Sequence, residues 1–66
     1  MCIKIIELIG TSPKSFEAAV QDAINTAAKT LRGISGVDVI GQTVVVEKNK
    51  VVEYRVNVKL AFKVEN

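Results

Sequence analysis

The sequence predicts an α+β subunit of order β-α-β-β, a three-stranded antiparallel sheet wrapped on one helix, and three observations carry that prediction. Apolar residues recur at helical spacing from Phe16 to Leu31, they alternate with polar ones along Val51 to Val64, and β-branched residues crowd Cys2 to Ile9. Residues 1–66 read as one domain, because no linker, repeat or low-complexity stretch interrupts a chain already near the lower limit of domain size.

Cys2 to Ile9 is the first expected strand. Ile3, Ile5 and Ile9 share one face with Glu7, while Lys4, Ile6 and Leu8 share the other. Both faces are mostly apolar, so both are expected to meet protein. Gly10-Thr11-Ser12-Pro13 then reads as a turn into a helix spanning Pro13 to Arg32. Ser12 suits the N-cap, accepting from the backbone N–H of residue 14 or 15, and Pro13 suits the first helical position. The predicted buried stripe is Phe16, Val20, Ala23, Ile24, Ala27 and Leu31. Glu17 near the start and Lys29 with Arg32 near the end agree with the helix dipole, and Gly33 is a natural stop. Ala18, Ala19, Ala23, Ala27 and Ala28 would let the helix approach a sheet closely.

Gly36 to Glu47 reads as the second strand, with Gly41 marking a bulge or a close backbone approach. Lys48-Asn49-Lys50 is a short turn, and Val51 to Val64 is the third strand, paired with the second as a hairpin. Val52, Tyr54, Val56, Val58, Leu60, Phe62 and Val64 form one face of it. Glu53, Arg55, Asn57, Lys59 and Lys63 share the other with Val51 and Ala61. Strands usually run to about 5–6 residues, so the far end of this one is expected to project beyond the helix with Leu60, Phe62 and Val64 uncovered. Exposed apolar strand surface of that kind calls for a covering partner.

Size and composition point the same way. A chain this short buries only about 60% of the surface it exposes when unfolded, and natural proteins of this length add disulfides, a metal or partner subunits. Cys2 is the single cysteine and there is no histidine, which excludes an internal disulfide and disfavours a zinc staple. Subunit association remains. A net charge of +2 is too slight to imply nucleic acid or a membrane surface, and no apolar run approaches the roughly 20 residues of a membrane helix. A reduced cytoplasmic setting, with Cys2 an incidental or structural thiol, is the expectation.

An enzyme is hard to build from this inventory. Without histidine no Ser-His or Cys-His nucleophile forms. The turn at Gly10 lacks the lysine and second glycine of a phosphate loop. Glu47 and Glu53 flank the hairpin as solvated charges rather than a catalytic pair. Arg55, Lys59 and Lys63 share one strand face at even spacing, which is a solvated or cavity-facing side or a surface for an anionic ligand. Nucleic acid is disfavoured, because no aromatic interleaves with those cations.

Ile5-Ile6-Glu7-Leu8-Ile9-Gly10-Thr11-Ser12, Phe16-Glu17-Ala18-Ala19, Asp22-Ala23-Ile24 and Tyr54-Arg55-Val56-Asn57-Val58-Lys59-Leu60-Ala61-Phe62 together resemble the dodecins, over about Ile3 to Glu65 without gaps. The resemblance implies a hollow homododecamer that is not an enzyme, whose members commonly hold flavins as stacked pairs between subunits. Ligand contacts are expected at Gly36, Asp38, Gln42, Arg55 and Lys59. The family's stacking tryptophan corresponds to Gly36 and its flavin-binding glutamine to Arg55, so flavin affinity is expected to be reduced. A branch of dodecin-like proteins that bind calcium resembles this chain in lacking that tryptophan. For such an ion, Asp38, Glu47 and Glu53 are the residues that could supply oxygens where symmetry brings copies together.

Overall fold

The computed structural model describes residues 1–64, and the expected order is present: β1 Cys2–Ser12, α1 Phe16–Ala28, β2 Ile34–Glu47 and β3 Lys50–Val64. Glu65, the last residue of the dodecin-like stretch, lies outside the described residues. The sheet order is β1-β3-β2, with both pairs antiparallel, so the longest strand is the central one. Fifteen residues of β3 at ~3.3 Å each span about 50 Å, which sets the 51 Å long axis of the chain.

The hairpin between β2 and β3 closes through Lys48 and Asn49, with Glu47 paired to Lys50. Both turn residues have positive φ, 52° and 64°, as a type I′ turn requires. The backbone twist of that turn matches the twist of the strands it joins. The bulge expected at Gly41 is present: Val39 opposes Val58 and Gly41 opposes Asn57, which leaves Ile40 as the extra residue. Further irregularities fall between Ile34 and Gly36 and between Val45 and Val46.

The core lies between α1 and the even-numbered side of β3. Val56, Val58 and Leu60 are each 0% exposed, and Ala19, Ala23 and Ala27 are the buried helix residues. Leu8, Phe16, Val20 and Val37 pack around them. Phe16 also meets Tyr54 edge to face, with centroids 5.0 Å apart. Gly10 sets how close the helix comes. A Cβ at this position would stand 2.0 Å from the Ala19 carbonyl oxygen and 3.0 Å from the Ala23 Cβ. Helix backbone therefore rests directly on strand backbone at this point.

Four expectations are corrected. The helix runs Phe16–Ala28 rather than Pro13 to Arg32, because β1 extends through Ser12 and the chain bends before helical geometry begins. Its N-cap is Ser15, whose Oγ accepts the Ala18 N–H at 3.0 Å; the Ser12 Oγ accepts from Lys14 N–H instead and closes the bend. Lys29 is the C-cap, while Arg32, beyond the helix, donates from Nη1 to the carbonyls of Ala28 and Leu31. Gly33, at φ 75°, turns the chain into β2.

The buried stripe is also displaced. The small ridge Ala19, Ala23, Ala27 faces the sheet, and Phe16, Val20, Ile24 and Leu31 flank it, each only partly buried. Close approach over Gly10 leaves no depth for larger side chains on the centre line. Finally, Leu60 is not uncovered. β1 runs back along β3 from Tyr54 to Val64, and the helix follows, so the C-terminal part of β3 is the covered part. The hairpin tip projects instead, with Val44, Val46, Val51 and Val52 exposed. A helix of 13 residues covers only about 20 Å of strand.

Candidate functional site

Residues paired directly across neighbouring strands stand on the same face of the sheet, with Cβ atoms about 5 Å apart. The register therefore fixes the rows on the side away from the helix. In order along β3 they are Thr11–Arg55–Thr43, Ile9–Asn57–Gly41, Glu7–Lys59–Asp38 and Ile5–Ala61–Gly36. Four of the expected ligand residues, Gly36, Asp38, Arg55 and Lys59, lie on this outer face: Arg55 in the first row, Asp38 and Lys59 together in the third, and Gly36 in the fourth. Gln42 does not join them. It pairs with Val56 on the helix side, because the extra residue Ile40 reverses the alternation of β2.

The edge strand supplies the apolar part of this face. Ile3, Ile5 and Ile9 are 58%, 62% and 61% exposed, far more than large aliphatic side chains usually are. Gly36 leaves open space: a Cβ there would meet nothing within 4 Å. The polar part is made by β3. Arg55 Nε donates to Glu53 Oε2 at 2.6 Å, two residues along the same strand face. Asn57, between Ile9 and Gly41, keeps its Oδ1 buried without a hydrogen-bond donor among the described residues. Lys59 stands between Glu7 and Asp38 in the register, yet among the described residues the ion pair of this face is Arg55–Glu53.

The geometry bears on both implied ligands. Of the three aromatic residues in the chain, Phe16 is on the helix, and Tyr54 and Phe62 fall on the helix side of β3, opposite Ser12 and Lys4. The outer face thus has no ring to stack on a flavin, and the residues present do not fit the usual aromatic sandwich. For calcium, oxygens must converge at about 2.3–2.6 Å from the ion. Asp38 is aligned with Lys59 and Glu47 with Lys50 at the tip, so β3 separates them by nine residues, ~30 Å of strand. Among the described residues no three acidic or thiol side chains of one chain group around a metal position.

Sequence reasoning found the cationic face but not its internal partner. Glu53 and Arg55 were placed on one side of the strand by alternation, and that i, i+2 spacing is the signal from which their ion pair could have been read. Thr11 and Thr43 were not legible as neighbours of Arg55, since Thr11 reads as part of a turn that the structure makes strand and Thr43 reaches that row only through the bulge at Ile40.

Comparisons with known proteins agree with this architecture. The family model described as Dodecin matches residues 2–65. The calcium dodecin of Mycobacterium tuberculosis is 35% identical over 60 residues, covering 91% of this chain and 84% of that protein. The dodecin of Thermus thermophilus is 37% identical over 62 residues, covering 94% and 90%. The dodecin structure from Streptomyces coelicolor superposes with a TM-score of 0.95 at 31% identity, covering 98% of this chain and 93% of that one. With a β-α-β-β fold, a central long strand and a family match over nearly its whole length, the chain belongs to the dodecin family.

Proposed function

We propose that this chain is the single-domain subunit of a hollow homododecamer that binds and stores a small ligand carrying an anionic group, on the outer face of its sheet. The observation that carries this reading is the grouping of Gly36, Asp38, Arg55 and Lys59 on one face beside exposed isoleucines. Apolar surface as open as Ile3, Ile5 and Ile9 is a docking surface for other copies, and each buried CH₂ there contributes ~0.8 kcal/mol. Arg55 and Lys59 supply cations for phosphate or carboxylate, and the space at Gly36 admits a planar ring that has no indole to rest on. The subunit is a carrier rather than an enzyme, its protein partner is itself, and its setting is cytoplasmic, with neither nucleic acid nor membrane as partner. Among the described residues no helix is long and apolar enough to cross a membrane.

Native mass spectrometry and fluorescence-quenching titration test this together. The expected result is a closed twelve-subunit mass and riboflavin binding well weaker than in a dodecin that has the tryptophan. A stable monomer at micromolar concentration, or nanomolar riboflavin affinity, would overturn the corresponding half.

A calcium-binding shell is the second reading. It is favoured by the 35% identical relative named for calcium and by a structure of that protein, described as calcium-chelating, with a TM-score of 0.86. Carboxylates from several copies would have to combine at one ion, with Asp38, Glu47 and Glu53 as the available donors. Calorimetric titration of calcium into the assembled protein separates this reading from the first.

A further inference from the structure

We propose that Thr11, Arg55 and Thr43 form an oxyanion site and that Glu53 is its built-in competing anion. Resting on the anionic-ligand reading above, this names the residues that hold the anionic group and the one that limits its affinity. A phosphate or carboxylate seated on the free Nη edge of Arg55 competes with the Glu53 carboxylate, held at Nε, for the charge of the guanidinium.

Three observations converge on it. The register puts Thr11 and Thr43 on either side of Arg55 in one cross-strand row, and both threonines are exposed. Their hydroxyls can donate to the same anionic oxygens that a guanidinium recognises. Next, Arg55 is engaged through Nε, by Glu53 Oε2 at 2.6 Å. The two Nη groups remain as an edge able to take an oxyanion with paired N–H donors. Lastly, the pair is partly solvated, with Arg55 49% and Glu53 34% exposed. An ion pair in that environment is weak and therefore exchangeable.

The charges give the sign. An anion seated on Arg55 lies within about 5 Å of the Glu53 carboxylate, and like charges at that range in a largely aqueous dielectric repel by enough to change affinity roughly fivefold. Removing the Glu53 charge should strengthen anion binding. Removing Arg55 should weaken it at least tenfold. A purely structural role for the pair predicts neither.

The test is calorimetric titration of inorganic pyrophosphate into the assembled protein at low salt, with riboflavin titrated in parallel. Native mass confirms assembly of each variant. Glu53→Gln should bind pyrophosphate roughly fivefold more tightly than the unmodified protein. Thr43→Val should bind it a few-fold more weakly, and Arg55→Gln at least tenfold more weakly. Riboflavin, which has no anionic group, should respond little to Glu53→Gln. Pyrophosphate affinity that is undetectable throughout, unchanged by Glu53→Gln or retained in Arg55→Gln overturns the proposal whatever riboflavin does. The expected pyrophosphate series without riboflavin binding supports the oxyanion site and removes only the flavin-type ring from the ligand reading.

Discussion

The two faces of β3 share one backbone and alternate residue by residue, yet they are finished to different degrees. On the helix side, Val56, Val58 and Leu60 are sealed by an alanine ridge lying close enough that Gly10 can carry no side chain. On the outer side, one strand edge leaves three isoleucines open, Asn57 Oδ1 is buried without a donor, and Arg55 is held by its own neighbour. The helix side completes itself within one chain. The outer side is left open by the single chain, and this contrast teaches that one strand can carry a closed core on one face and open apolar and charged surface on the other.

The contrast can be broken most severely at Gly10. Gly10→Ala would drive a Cβ to 2.0 Å from the Ala19 carbonyl oxygen. Neither group is the flexible end of a side chain, so the helix must lift from the sheet, at a cost above ~3 kcal/mol. Thermal unfolding of the assembled protein measures it; a melting temperature matching the unmodified protein would mean that the helix does not rest on β1 there.

A smaller effect is expected at the helix start. Ser15→Ala removes the acceptor for the Ala18 N–H and should cost ~1 kcal/mol. The helix end distant from this cap keeps its contacts, so hydrogen exchange should speed up in the first turn and little elsewhere. Equal exchange throughout the helix would show that capping is supplied by another group.

The smallest stability effect belongs to the outer face. Gly36→Trp adds a side chain where a Cβ meets nothing within 4 Å, and stability should stay within about 0.5 kcal/mol. Riboflavin affinity should nevertheless rise, because an indole supplies stacking of ~1–3 kcal/mol, the scale known from base–aromatic contacts. The gain should stop short of a tryptophan-bearing dodecin, since Arg55 cannot accept a hydrogen bond as a glutamine can. A large destabilisation would show that Gly36 is packed in the assembly.

Much of the fold was legible without coordinates. The period-2 alternation of Val51 to Val64 identified the core face of β3, and Tyr54, Val56, Val58 and Leu60 are on it. The bulge at Gly41 and the turn after Glu47 were readable from pattern, as a glycine interrupting a strand and a Lys-Asn-Lys stretch between two apolar runs. The candidate face was legible only in part. Alternation placed Arg55 and Lys59 together, but it could not place Gln42 opposite to Asp38 across a bulge.

By itself, then, the sequence determined the element order, the expectation of self-association that so short a chain raises, and the cationic side of β3. Each follows from local pattern or total size, which a linear chain states directly. The tertiary structure alone decided that Ala19 joins Ala23 and Ala27 against the sheet while Phe16, Ile24 and Leu31 only flank them, that the hairpin tip rather than Leu60 projects, and that Thr43 stands across Arg55 from Thr11. These depend on how deeply a helix can sit over Gly10 and on a register shifted by Ile40. Distances between segments far apart in the chain set both, and no local pattern encodes them.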